Sequence, residues 1–294
     1  MFVCGAKECT LHRVRLPDGE LVDSIGLGTW RLGESARRRA AEVAAVRRAF
    51  ELGYRLIDTA EMYGEGGAER VIGQAFAEAV RAGDVRRDQV FVVSKVYPHN
   101  ASREGVIAAC ERSLQRLGLD RIDMYLLHWP GSHPVAATVA GFKTLLEQGR
   151  IRYWGVSNFD VAPMKELWRV PGGRGCAVNQ VYYSLGQRGV EFDLLPWQRE
   201  HHVPLMAYCP IDQGSLARSS ALAPLARRLG APPAQIALAW LSARGDVIAI
   251  PKAVSEEHLR ENLAAAEISL DAEALAELDR VFPPPRRKHA LAIV

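Results

Sequence analysis

This chain is poor in several features that would assign a class at once. Its five cysteines, Cys4, Cys9, Cys110, Cys176 and Cys209, include no CxxC pair, and no cysteine–histidine spacing suits zinc. Neither a disulfide framework nor a metal centre is therefore expected. Odd, unpaired cysteines fit a reducing, cytoplasmic compartment. No apolar run approaches the length of a bilayer span, and the N-terminus lacks the basic-then-apolar order of a secretory leader. Net charge is only +3 over 294 residues, with both signs interspersed. That argues against nucleic acid or a membrane surface as the main partner. The glycine signatures of the common nucleotide-binding folds are missing too. Neither Gly26-Leu27-Gly28 nor Gly64-Glu65-Gly66-Gly67 has the spacing of GxGxxG or of a P-loop. Without a linker or a low-complexity stretch, one domain over residues 1–294 is the reading.

What is present is a repeating pattern. Residues 1–24 form an N-terminal segment in which Pro17-Asp18-Gly19, a strong turn sequence, joins two short runs (11–16 and 20–24) into a β-hairpin. After it, short apolar runs alternate with amphipathic ones. Strands are predicted over 25–29, up to Asp58, and over 90–95, 123–128, 151–157, 176–180, 204–208 and 247–251. Helices are predicted over 36–52, 67–81, 102–117, 135–148, 161–168, 194–201, 221–229, 233–243 and 256–265, with Ser102 as an N-cap. A last helix over 271–281 precedes a tail, 282–294, opened by Pro283-Pro284-Pro285. Eight strand–helix units with continuously apolar strands indicate an α/β fold with parallel strands covered on both faces. A closed (β/α)8 TIM barrel with an N-terminal hairpin and extra C-terminal helices fits the count. A doubly wound sheet is the runner-up.

In such a barrel the active site lies where strand C-termini meet. The residues predicted there are Thr29 and Trp30, Asp58, Lys95, His128, Ser157 and Asn158, Gln180, Tyr208 and Lys252. Side-chain alternation puts Lys95 on the face of Val93 and Phe91, and His128 on that of Leu126 and Met124, apolar below and polar at the rim. Singly, each has an ordinary explanation: Asp58 as a helix cap, Lys95 as a solvated loop lysine, His128 as a satisfied core histidine, Tyr63 as surface packing. Four titratable groups of both charges at one mouth point instead to chemistry. A buried Asp58 needs a cation, and Lys95 is the candidate. Lys95 near the Tyr63 phenol would lower its pKa from the usual value of about 10, making it a general acid. His128 would donate a hydrogen bond to a substrate oxygen. That set suits protonation of an alkoxide-like oxygen during carbonyl reduction. Lys95 as a Schiff-base nucleophile of an aldolase or lyase stays open.

The segments Asp58-Thr59-Ala60-Glu61-Met62-Tyr63-Gly64, Leu126-Leu127-His128-Trp129-Pro130, Gly155-Val156-Ser157-Asn158-Phe159 and Ile250-Pro251-Lys252 resemble the aldo-keto reductase family. The likeness runs from about Leu11 to Pro285 and is nearest to short-loop bacterial members of the methylglyoxal and diketogluconate reductase type. It implies a (β/α)8 barrel using a nicotinamide nucleotide, with Asp58, Tyr63, Lys95 and His128 as the catalytic tetrad. It also implies carboxamide contacts from Ser157, Asn158 and Gln180, and stacking of the nicotinamide on Tyr208. The loop over 211–216 would embrace the pyrophosphate, Lys252 and His258 would lie near a 2′-phosphate, and Asn262 near adenine. NADPH is expected, with NADH possible but less favoured, because His258 stands where many NADP-preferring members carry arginine. Cys209 replaces a common serine. Trp30, Tyr97, Trp129, His99 and the basic tail (Arg286-Arg287-Lys288-His289) are expected to line the substrate pocket. Short rims suggest small aldehydes and α-dicarbonyls such as methylglyoxal as substrates of a monomer. A non-catalytic nucleotide-sensing subunit, a role known in the family, is the other alternative.

Overall fold

The computed structural model of the chain describes residues 12–294. Cys4, Cys9 and the first residue of the predicted hairpin, Leu11, lie outside the described residues. The hairpin pairs β1 (Arg13–Arg15) antiparallel with β2 (Leu21–Asp23). Its turn is held by Glu20 N–H donating to Asp18 Oδ1 at 3.0 Å, and Gly19 takes the positive φ of 98° that the turn demands.

Eight parallel strands follow in chain order: β3 (Leu27–Gly28), β4 (Leu56–Asp58), β5 (Phe91–Val96), β6 (Ile122–Leu127), β7 (Ile151–Ser157), β8 (Asn179–Tyr182), β9 (Leu205–Tyr208) and β10 (Val247–Ala249). The first and last runs meet through parallel bridges, Ile25 with Ala249 and Gly28 with Lys252, which closes the barrel. Around it lie α1 (Arg39–Leu52), α2 (Gly67–Ala82), α3 (Arg103–Leu117), α4 (Val135–Glu147), α5 (Val161–Arg169), α6 (Leu194–Glu200), α7 (Ala223–Leu229), α8 (Pro233–Ser242), α9 (Glu256–Ala264) and α10 (Ala272–Val281). Several boundaries carry their expected chemistry. Ser102 accepts from Gly105 N–H at 3.0 Å at the start of α3, and Gly53 and Gly118 end α1 and α3 in the left-handed region.

Among the strand boundaries that differ from the sequence reading, two have a direct physical cause. The first strand is short because Gly26 and Gly28 lie against neighbouring backbone; a Cβ on Gly28 would stand 2.5 Å from the Ile250 carbonyl oxygen. The sixth barrel strand, expected over 176–180, runs on to Tyr182, because Val181 and Tyr182 pair with Ala207 and Tyr208 of β9. Gln180 is therefore inside a strand rather than at its end.

Alternation along each strand makes two apolar layers. Outward residues such as Val92, Tyr125 and Val156 pack under the helices. Inward residues, Leu56, Phe91, Val93, Met124, Leu126, Val178, Met206 and Ile248, fill the barrel. Val14, Leu16 and Val22 of the hairpin belong to this inner layer, so the hairpin stoppers the barrel at its N-terminal end. Truncating Leu16, 1% exposed, to alanine would cost about 2–5 kcal/mol. The buried inward-facing side chains of Asp58, Lys95 and Gln180 lie at the opposite end.

Candidate active site

Asp58 is the last residue of β4; it is buried, with its side chain directed inward. Lys95, next to last in β5, reaches it from the adjacent strand: Nζ stands 2.9 Å from Asp58 Oδ1 and 2.8 Å from Oδ2. The same Nζ donates to the Thr59 carbonyl at 2.8 Å and lies 3.3 Å from Tyr63 Oη. Gln180 Nε2 adds a third hydrogen bond to Asp58, at 2.7 Å. Burial works to neutralise both partners, raising the Asp58 carboxyl pKa and lowering that of the Lys95 ammonium; their mutual contact opposes both shifts. Charge-assisted bonds, from Lys95 and Gln180 to Asp58 and from Lys95 to Asp58, Thr59 and Tyr63, hold the ionic form.

The loop that carries Tyr63 is shaped by three successive left-handed residues, Gly64, Glu65 and Gly66, at φ of 57°, 49° and 76°. At its base Gly33 and Gly67 touch so closely that a Cβ on Gly67 would meet Gly33 oxygen at 2.2 Å. The glycine run that is no phosphate loop thus packs the Tyr63 loop against the one bearing Trp30. Thr29 locks the same corner, its hydroxyl donating to the Asp58 carbonyl at 2.8 Å.

His128 follows β6 directly and is buried; its ring centroid lies 5.8 Å from that of Tyr63, edge-on. Burial, aided by the Lys95 charge, pushes its pKa well below 6.5, so it is neutral. Its Nδ1 has no hydrogen-bond partner among the described residues. One expectation is reversed. Lys95 does not pull the Tyr63 pKa down; burial pushes the phenol well above 10, and the Asp58 charge adds to the rise. The Lys95 charge is already balanced by Asp58, so little of it remains to favour a phenolate. Tyr63 holds its proton.

Beside this tetrad lies a second polar cluster. Ser157 Oγ donates to the Gln180 carbonyl at 2.8 Å, and Asn158 Nδ2 donates to the His128 carbonyl at 3.1 Å. Tyr208 Oη donates to Asn158 Oδ1 at 2.9 Å, while its half-buried ring lies 5.4 Å from that of Tyr182. The loop over 211–216 is tied to β8 through Asp212, which accepts from Tyr182 and Ser215. Lys252 and His258 are exposed and Asn262 is buried, at and beyond the barrel closure where α9 begins. Trp129 stands between His128 (4.8 Å) and Tyr97 (6.0 Å), and His99 lies against Tyr97 (4.6 Å). Trp30 sits under the Arg31 guanidinium. Of the tail, Lys288 binds Asp160 and Asp193, each at 2.6 Å, and the Ala292 carbonyl lies 3.5 Å from Tyr208 Oη. A cavity of about 430 Å³ separates the tail from the loop after β8, lined by Tyr182, Gln187, Arg188 and His289 among others.

Sequence reasoning did not single out Glu61, Glu69 or Arg116, which brace the site from outside the barrel. The one signal available was Glu61 inside the quoted segment around Tyr63; nothing marked it as buried.

The family model of the aldo/keto reductase family matches residues 24–282. The chain belongs to that family. This aldo/keto reductase is 48% identical over 276 residues to methylglyoxal reductase YeaE of Escherichia coli strain K12, covering 92% of this chain and 95% of that protein. It is 32% identical to methylglyoxal reductase DkgB of Escherichia coli O157:H7, over 88% of this chain and 93% of that one. A crystal structure of an aldo/keto reductase from Klebsiella pneumoniae in complex with NADP and acetate superposes with a TM-score of 0.91 at 48% identity, covering 97% of this chain and all of that one. The expected (β/α)8 barrel and the family are both borne out. As an aldo/keto reductase, the chain is an NADP-dependent oxidoreductase acting on carbonyl groups.

Proposed function

We propose that the chain reduces small aldehydes and α-dicarbonyls, methylglyoxal among them, to alcohols with NADPH, and that Tyr63 is the general acid. The observation that carries this reading is the Lys95 ammonium, bound to Asp58 on one side and 3.3 Å from a Tyr63 hydroxyl that keeps its proton. NADPH, when bound, supplies the hydride that the carbonyl carbon accepts. Tyr63 Oη gives its proton to the carbonyl oxygen as negative charge develops there, and the phenolate left behind faces Lys95. Asp58 keeps Lys95 charged. Neutral His128 donates a hydrogen bond that orients the carbonyl oxygen towards Tyr63. Tyr97, Trp129 and Trp30 supply apolar walls, which suits compact substrates. The names of the two methylglyoxal reductases support the same substrate class.

The residues present fit the cofactor. A hydroxyl and two amides, from Ser157, Asn158 and Gln180, offer both donors and acceptors to a carboxamide, and Tyr208 offers a ring face. Lys252 is exposed and has no ion-pair partner among the described residues. It stands three residues before the Ser255 cap of α9, whose N-terminus favours an anion. Glu256 there is held by Arg48 at 2.8 Å and Arg260 at 2.7 Å, so its charge is balanced. His258 and Asn262 complete the set, and NADPH is preferred over NADH through Lys252.

A Schiff-base role for Lys95 has no support. The side chain is fully buried, and its nitrogen is occupied by Asp58, Thr59 and Tyr63. The reading further takes the chain as one domain, monomeric and cytoplasmic, without a nucleic-acid partner. No helix among the described residues is long and apolar enough to cross a membrane. The test is fluorescence titration with NADPH and NADH, followed by turnover on methylglyoxal and a panel of activated aldehydes. Tighter NADPH binding with turnover is expected. Failure to oxidise NADPH with every carbonyl in the panel refutes the reading.

A further inference from the structure

Two buried glutamates near the mouth have no part in the chemistry described so far. Glu69 is fully buried between α2 and β5; it accepts from Ser94 Oγ at 2.7 Å and from Arg116 of α3. Glu61, 7% exposed, stands two residues before Tyr63. Its surroundings are unusual for a loop carboxylate. The chain leaving β4 is stitched to β5 and the residues after it by a run of bonds: Thr59 N–H to the Val93 carbonyl at 2.9 Å, then Glu61 N–H to the Lys95 carbonyl at 3.3 Å. The next bond in the run is different. Tyr97 N–H donates at 2.8 Å to Oε1 of the Glu61 side chain, and Asn100 Nδ2 donates to the same oxygen at 3.1 Å. The other oxygen, Oε2, faces two α3 guanidinium groups, Arg112 at 3.6 Å and Arg116 at 3.9 Å.

Glu61 therefore touches both loops of the site. Its backbone belongs to the loop that delivers the Tyr63 hydroxyl, and its carboxylate holds the first residues of the loop that delivers the Tyr97 ring. On the strength of the reductase reading, we propose that Glu61 is a positioning residue for carbonyl reduction: its carboxylate continues the β4–β5 pairing beyond the strand ends and fixes the general acid relative to the pocket wall. The groups on the cofactor side, Ser157, Asn158, Tyr208 and Lys252, make no contact with it. Loss of the clamp is thus expected to show in carbonyl kinetics and not in cofactor affinity.

Glu61→Gln keeps an acceptor oxygen for Tyr97 N–H and Asn100; Glu61→Ala removes it. With NADPH saturating, Glu61→Ala is expected to raise KM for methylglyoxal and lower kcat, each about tenfold, as sub-ångström misplacement of reacting groups does. Its NADPH affinity should stay within about twofold of the parent. Glu61→Gln should restore kcat and KM to within about threefold. Should Glu61→Ala not fold, Asn100→Asp supplies the test by setting a like charge against the same oxygen. KM should rise in that variant and recover in the Asn100→Asp/Glu61→Gln double variant. Unchanged kinetics in Glu61→Ala or Asn100→Asp, equal damage from Glu61→Gln and Glu61→Ala, or NADPH affinity falling in step with kcat overturns the proposal. These outcomes presuppose an active parent protein; a parent inert towards every carbonyl overturns the reductase reading and this proposal with it.

Discussion

Replacing Lys95 by methionine separates the electrostatic role of the tetrad from its catalytic one. The two side chains of the pair are 0% and 2% exposed, so neither gains appreciable hydration when the other is lost. Without Lys95, the Asp58 carboxylate keeps a single described donor, Gln180 Nε2 at 2.7 Å. Stranding a buried charge in this way costs about 3–5 kcal/mol, whereas removing both charges together costs far less. At roughly 2–4 °C of Tm per kcal/mol for chains of this order, Lys95→Met should melt about 6–20 °C below the parent. The Asp58→Asn/Lys95→Met double variant should recover most of that loss, because the side-chain amide it carries in place of the carboxylate is neutral and can still accept from Gln180. Activity should not recover. Both variants lack the cation beside Tyr63 and should fall by about a hundredfold or more in kcat. Calorimetric melts and methylglyoxal turnover, run side by side, check this. A Lys95→Met protein that melts with the parent, or a double variant no more stable than the single one, refutes the account of the buried pair.

Tyr63→Phe should lower kcat by about 10²–10⁴-fold, the scale of a lost general acid, while NADPH titration and Tm stay near the parent values. Lys95 would still have Asp58 and the Thr59 carbonyl. Lys252→Ala should weaken NADPH binding far more than NADH binding, read by fluorescence titration of each nucleotide; equal losses would remove Lys252 from the 2′-phosphate. His128 is held neutral, with a folded pKa well below the usual 6.5. The unfolded chain therefore takes up an extra proton as pH falls through that value, and the stability His128 contributes above 6.5 is lost on acidification. The His128→Gln variant lacks this component, so chemical denaturation at descending pH should show a shallower decline than in the parent.

The tetrad was largely legible in the sequence because three of its members belong to strands or their immediate ends, where alternation fixes the inward direction. Lys95 shares its face with Phe91 and Val93, and Asp58 with Leu56, as period-2 reasoning requires. Tyr63 was legible from its place on the loop after Asp58 and not from periodicity, since it leads into a turn built from left-handed residues. The direction of its pKa was misread because proximity to Lys95 was weighed without the burial around it or the prior claim of Asp58. Gln180 shows a similar limit. The sequence placed it at the rim, but not that its amide would bond to Asp58, 122 residues away. Glu61, Glu69 and Arg116 left no pattern, because a buried ion network is made by the packing of α2 and α3 on β5. The pairing of Lys288 with Asp160 and Asp193 likewise depends on where an irregular tail runs.

The hairpin at the foot of the barrel has a consequence for proton supply. With Val14, Leu16 and Val22 sealed beneath Leu56, Phe91, Val93 and Met124, the interior below Asp58 is a column of hydrocarbon. Such a column carries no chain of donors and acceptors along which a proton could hop. If Tyr63 is the general acid proposed above, its proton is therefore expected to be replaced from the mouth side of the barrel and not from below. Recharging of the acid and emptying of the pocket would then both take place at the same end of the barrel.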